Sequence, residues 1–169
     1  MTTSAEVLAD AFGRIGGMVH DAVEGLSPEE LAFRVDDGAN PIAWLVWHLA
    51  RVQDHHIAPL AGTEQVWTSA GWAERFGLSL PVSDTGYGHR PEQVAAVTAD
   101  AAKLLGYYDA VEQATLRYVR GLSDDDLDRI VDEHWNPSVS LGARLVSVLG
   151  DDVSHAAQAA YVRGIVERR

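Results

Sequence analysis

The sequence predicts an all-α protein: a four-helix bundle with a long crossover loop between its second and third long helices. Three observations carry that expectation. Apolar residues recur at three- and four-residue steps in four long stretches. No stretch sustains the apolar–polar alternation of a strand, and the longest one without any period, Gly62 to Arg90, falls between the second and third helices. With 169 residues, 47% of them hydrophobic, the chain is long enough for one domain over 1–169 with a sizeable core.

The first helix is expected over Ala5 to Val23, with Val7, Ala11, Ile15, Met18 and Ala22 inward. Ser27-Pro28-Glu29-Glu30 has the pattern of a capped short turn of helix. Asn40-Pro41 opens the second long helix, with Asn as N-cap and Pro in the first turn, and the helix runs to about Leu60 before Gly62. Its inward stripe is Trp44, Leu45, His48, Val52 and His55. The crossover carries short helical turns around Glu64 to Trp67 and Trp72 to Phe76. Ordered loops of that length are often functional. The third long helix is expected from Pro91 to about Arg120, with Val94, Val97, Ala101, Leu104, Tyr108, Val111 and Thr115 inward. Ser123-Asp124-Asp125-Asp126 caps a short segment, and Glu133 to Pro137 forms a turn. The fourth long helix begins near Ser140 and turns Leu141, Leu145, Val148, His155, Ala159, Val162 and Val166 to one side. Four such helices bury their stripes against one another as a bundle.

Composition excludes several classes of function. A formal net charge of -12 repels a phosphate backbone, so nucleic-acid binding is not expected. No cysteine is present, which removes disulfides, thiolate ligands and a cysteine nucleophile. No apolar run approaches the roughly 18 residues that span a bilayer. The opening Met1 to Glu6 has neither the basic start nor the apolar run of a signal peptide. A soluble cytoplasmic protein is the expectation. Lys103 is the one lysine among 13 basic residues, a bias expected of a GC-rich genome.

Chemistry concentrates at Asp151-Asp152-Val153-Ser154-His155 and at Trp47-His48. A carboxylate and an imidazole four positions apart share a helix face. With about 100° per residue and His155 as zero, Val148, Ala159, Val162 and Val166 lie within about 40° of it, Asp151 near −40°, Gln158 near −60° and Asp152 near +60°. Periodicity therefore leaves Asp151 and Asp152 both open. His48 sits in the middle of its own stripe. Buried there, the imidazoles and an acid cost stability unless paired or bound. A hydrogen-bonded core histidine and a buried ion pair are the bland readings; three ligands converging on a metal with one position left open is the functional one.

The chain resembles the DinB-like family of four-helix metal proteins, in particular the branch related to the metal-binding domain of mycothiol-dependent maleylpyruvate isomerase. The resemblance rests on Asn40 to Arg51 (NPIAWLVWHLAR), on Asp84-Thr85-Gly86-Tyr87-Gly88-His89 and on His155 to Gly164 (HAAQAAYVRG), and covers nearly the whole chain. It implies a metal ligand from the second helix, matched by His48, and two more four residues apart on the last long helix, matched by Asp151 and His155 and followed by Gln158. Many such proteins have histidine where this chain has Asp151, and the isomerase branch has glutamate. Aspartate keeps an oxygen ligand but is one methylene shorter. Asp152 is the alternative ligand.

Two imidazoles and a carboxylate suit zinc, nickel or iron(II), with tetrahedral zinc the first choice. Gln158 is expected either to support the centre or to cap the buried face. His55 is expected as a satisfied core histidine, with cavity lining the alternative; His56 points further round, and His20, His89 and His134 fall at the surface or in loops. Arg51 is expected in an ordinary ion pair, an anionic substrate being its other use. Tyr87 and Trp135 are placed to close over the bundle mouth. Val46 and Ile57 point away from the His48 stripe and suggest a dimer face, in line with the homodimer the resemblance implies. The resemblance further implies a low-molecular-weight thiol, such as mycothiol or bacillithiol, bound to the metal as co-substrate and attacking an electrophilic small molecule. A metal-dependent hydrolase and a non-catalytic metal-binding stress-response protein are the alternatives.

Overall fold

Thr3 starts the first long helix with a reciprocal cap: its hydroxyl accepts from the Glu6 backbone N–H at 3.2 Å while the Glu6 carboxylate accepts from the Thr3 N–H at 2.9 Å. The computed structural model describes residues 2–169. Met1, where the signal-peptide reading and the 1–169 domain begin, lies outside the described residues. The elements in chain order are α1 (Ser4–Val23), α2 (Pro28–Leu31), α3 (Ile42–Ala61), α4 (Val66–Ser69), α5 (Trp72–Phe76), α6 (Pro91–Ala96), α7 (Ala101–Arg120), α8 (Asp124–Leu127), β1 (Ile130–Asp132), β2 (Val139–Ser140) and α9 (Leu141–Val166).

Helices α1 and α3 each pack on both α7 and α9, so α1 and α3 stand at one diagonal of a four-helix bundle and α7 and α9 at the other. The all-α expectation holds. Phe12, Ile15, Trp47, Leu49, Leu104, Val111, Leu145 and Ala159 meet in the core. Among the described residues no helix is long and apolar enough to cross a membrane.

Several local expectations are corrected. The core stripe of α1 runs through Ala5, Ala9, Phe12, Ile15, Val19 and Ala22, whereas Val7 is exposed and Ala11 and Met18 are only half-buried. Phe12 presents far more apolar area than Ala11 at a neighbouring angle, which turns the stripe toward Phe12, Ile15 and Val19 and leaves Met18 at its edge. The cap of α3 is Pro41 in extended conformation, one residue later than Asn40, with no side-chain hydrogen bond. What reads as one helix from Pro91 to Arg120 is two. Val97 leaves the helical region at ψ 95°, and Asp100 recaps the chain by accepting from the Lys103 N–H at 2.8 Å. A short antiparallel pair, β1 with β2, flanks the Glu133–Pro137 turn; strands of three and two residues are too brief to show a period.

Val46 and Ile57, expected on a dimer face, are buried at 0% and 3% exposure. Helix α3 is covered by α7 and α9 and by the crossover through α4, so its outward side also lies against protein. The apolar character of these two residues is spent inside the chain.

His20 ties α1 to α7. Its Nδ1 lies 2.7 Å from Glu24 Oε1 and its Nε2 lies 2.8 Å from Asp109 Oδ1. Carboxylate oxygens only accept, so both ring nitrogens donate and the charged ring is favoured. The hydrogen bonds to Glu24 and then Asp109 hold the imidazole above its ordinary value, against partial burial. A raised folded value means stabilisation that is complete below about pH 6.5 and lost as pH rises through the folded value. His20→Gln should therefore lower stability by about 0.2–1 kcal/mol at mildly acidic pH and by much less in alkali, as read from paired urea titrations across that range.

Candidate metal centre

His48 from α3 and Asp151 and His155 from α9 come together because those two helices are packed neighbours in the bundle. One ligand atom from each lies within 4.8 Å of the other two. The two imidazoles meet edge to face with ring centroids 4.8 Å apart. His48 is buried, while Asp151 and His155 are half-buried.

Hydrogen bonds settle which ring nitrogen of each histidine is free. The Thr85 carbonyl, which only accepts, takes the Nδ1–H of His48. The Gln158 amide oxygen accepts from His155 Nδ1 at 2.9 Å. In a neutral ring each bond leaves Nε2 with a lone pair, the arrangement by which an outer partner orients a metal-bound histidine. Gln158 thus takes the supporting role. Burial keeps the His48 imidazole below its ordinary value; the Thr85 bond opposes that shift and nearby His155 adds to it.

The donor set fits a divalent cation. His155 Nε2 and Asp151 Oδ1 are 3.6 Å apart, longer than a hydrogen bond, so the pair does not satisfy itself. Asp151 Oδ2 is buried with no hydrogen-bond partner among the described residues. Two imidazole lone pairs beside a carboxylate that keeps an unpartnered oxygen are what a cation would satisfy. Asp152, the alternative ligand, stands outside the group. It is fully buried, both its oxygens lack partners among the described residues, and burial, with Asp151 adding, pushes its carboxyl well above the usual range. Its neutral form is favoured there.

A cavity of about 340 Å³ opens from the centre, lined by His48 and Asp151 together with Val52, His55, His56, Thr85, Tyr87, Ser147 and Val148. A larger groove, about 520 Å³, runs along another side of α9 past Val35, Leu45, Ala157, Gln158 and Tyr161; the three convergent donors do not line it. Its size reflects shallow apolar surface and it has none of the chemistry.

The remaining candidates fall as follows. His55 is exposed at the cavity wall, on the same side of α3 as exposed Pro59, so the core-histidine expectation fails and the cavity-lining alternative holds. His56 also faces the cavity, and burial, followed by Arg144 and His55, lowers its imidazole below the ordinary value. Arg51 is fully buried, bonded within the protein and out of reach of a substrate. His134 is exposed as expected and Trp135 lies outside the cavity, whereas Tyr87, 93% exposed, stands at its rim. His89 lies in the crossover loop, as expected, but its side chain is turned inward and only 2% exposed. Sequence reasoning missed the Thr85 carbonyl entirely, since backbone groups carry no residue signal. Gly86 was the available clue. It adopts φ +92°, and a Cβ there would stand 2.7 Å from His48 Nδ1.

The sequence profile of the DinB superfamily matches residues 11–159. The chain belongs to the DinB superfamily. Among solved structures, a conserved protein from Enterococcus faecalis is 28% identical, with 100% of both chains covered and a TM-score of 0.92. No curated protein matches the chain. The superfamily fold thus accounts for the bundle, and the His48–Asp151–His155 convergence is the feature on it with metal-binding chemistry.

The two aspartates separate by substitution. Asp151→Asn should lose bound divalent metal on elemental analysis. Asp152→Asn should keep it, with stability within about 1 kcal/mol of the parent, because a neutral carboxyl is replaced by a neutral amide. Gly86→Ala should lower stability by about 1–3 kcal/mol in denaturant titrations, since it forces a side chain into left-handed backbone against His48.

Proposed function

We propose that the protein is a metal-dependent enzyme that activates a low-molecular-weight thiol, of the mycothiol kind, for attack on an electrophilic small molecule. The observation that supports this reading is the set of two imidazole nitrogens and a carboxylate oxygen converging beside an open cavity. A divalent cation, which we take to be zinc, would supply the Lewis acidity that brings a bound thiol to its thiolate near neutral pH.

The chain's own residues do the rest. With no cysteine, the protein offers no thiol of its own, so the nucleophile comes from a co-substrate. His48, Asp151 and His155 hold the centre. Val52 and Val148 give the cavity an apolar wall that takes carbon chain and excludes water. His55, His56, Tyr87 and Ser147 offer hydrogen-bonding groups around it for the polar part of the electrophile. At about 340 Å³ the cavity is near the small end of ligand pockets, so it holds the reacting ends while the bulk of the thiol carrier extends past Tyr87 to solvent. Proximity of two bound reactants is the main contribution expected of such a site.

Metal-loaded protein mixed with mycothiol and a general electrophile should form the thioether adduct faster than the two reagents alone. His48→Ala and His155→Ala should lose both metal, by elemental analysis, and adduct formation. Loaded protein that forms no adduct with mycothiol, bacillithiol or other small thiols overturns the proposal. Ester or amide turnover without added thiol would replace it with hydrolysis.

A further inference from the structure

The crossover returns to α3 through a closed ring of polar contacts that ends on a metal-centre histidine. Trp44 Nε1–H, which only donates, gives a hydrogen bond to His89 Nδ1 at 3.0 Å. That bond places the His89 proton on Nε2, which donates to Asp84 Oδ2 at 3.0 Å. Asp84 Oδ1 accepts from the Gly86 N–H at 2.9 Å. On the other side of Thr85, Arg51 Nε donates to the Asp84 carbonyl at 3.1 Å. Both peptide groups flanking Thr85 are therefore pinned, and its carbonyl is aimed at His48 Nδ1. The ring closes where Trp44 stacks on the His48 imidazole, centroids 4.5 Å apart and planes 15° from parallel.

We infer that Asp84 and His89 are positioning residues, which hold the Thr85 carbonyl on His48 Nδ1 and so keep the His48 lone pair on Nε2, facing the centre. The inference deepens the proposed metal-dependent function without needing the thiol chemistry to be right. Direction runs through every contact. Trp44 can only give, so His89 must accept and then give, and Asp84 must accept twice, from His89 and from Gly86. A carboxylate has two acceptor oxygens for those two donors. An asparagine has one, and its amide N–H groups would face either the His89 donor or the Gly86 donor. Neither rotamer nor either His89 tautomer removes that conflict.

Ring-nitrogen NMR of the metal-free protein at neutral pH, paired with zinc competition titrations, tests the inference. The wild type should show His48 protonated on Nδ1. Asp84→Asn and His89→Leu should give mixed His48 tautomers and weaken zinc binding about 10–100-fold. His89→Gln, whose amide can accept from Trp44 and donate to Asp84, should restore the tautomer and bind zinc within about threefold of wild type, well inside the loss expected when an outer partner is removed. A merely structural role would lower melting temperature in all three variants without separating Gln from Leu. A wild-type His48 protonated on Nε2 overturns the inference, as does a folded Asp84→Asn or His89→Leu with unchanged tautomer and zinc affinity. Should Asp84→Asn fail to fold, the Leu and Gln pair at position 89 decides; should they too fail, the wild-type tautomer does. Normal zinc and tautomer behaviour without any thiol adduct would count against the proposed function and leave the positioning role standing.

Discussion

The rest of the structure depends on two buried charges of α3, Arg51 and Asp54, and on the backbone they hold. Arg51 is 0% exposed and donates to Gln65 Oε1 at 2.8 Å, Asp84 O at 3.1 Å and Tyr107 OH at 3.3 Å. Asp54 accepts from the Val66 and Trp67 N–H groups at 2.9 and 2.8 Å and from Tyr107 OH at 3.0 Å. Their own separation, Nη1 to Oδ2, is 3.8 Å, so the pair is bound chiefly through third parties. An unpaired buried charge costs several kcal/mol, and one that serves several backbone groups offsets that cost by satisfying them. Residues 62–90 would otherwise be a long segment whose ordering costs about 1–2 kcal/mol per residue with few bonds to repay it.

An aromatic layer completes the seating of that segment. Trp67 lies under the Arg51 guanidinium, 4.9 Å from ring centroid to Cζ, and packs on Phe76 at 5.2 Å and Tyr107 at 5.0 Å. Gly106, in the middle of α7, has a packing reason: a Cβ there would come within 2.6 Å of Trp72 Cη2. Trp47 continues the layer toward the site by stacking on His89 at 5.9 Å. The crossover thus has a small core of its own, joined to the bundle core at α3 and α7. That core is what lets a loop carbonyl, Thr85 O, serve as a fixed partner for a histidine.

Legibility in the sequence followed the range of each interaction. Asp151 and His155 are four residues apart on one helix, so their shared face could be read from spacing, and His48 could be read from its place in an apolar stripe. The choice between Asp151 and Asp152 could not, because the two flank His155 at similar angles and only the packing of α9 shows which one faces α3 and which the core. Helix α3 defeated the one-sided pattern in another way. From Ile42 to Arg51 it is buried on every side, so periodicity had no solvent face to find there and Val46 looked outward, while its exposed positions, His55 and Pro59, come only in the second half. His89 and the Thr85 carbonyl lie 45 and 37 positions from their α3 partners, and no local rule reaches that far. The break before Asp100 was readable in principle, since Asp is a strong N-cap, but the apolar period runs across it and hid it.

Linkage follows from the position of the His48 ring between the loop and the centre. One nitrogen is committed to Thr85 of the crossover, the other to the point where Asp151 and His155 converge. A cation can bind only the tautomer with its lone pair on Nε2, and the Thr85 carbonyl stabilises only that same tautomer. Each therefore favours the other, by equal amounts, because coupling between two equilibria is reciprocal. On the proposed metal reading, a seated crossover would raise cation affinity and a bound cation would hold the crossover down. The rim of the cavity, with Tyr87 two residues beyond Thr85, is built from that same segment. Metal occupancy and the shape of the pocket would then be coupled through a single imidazole.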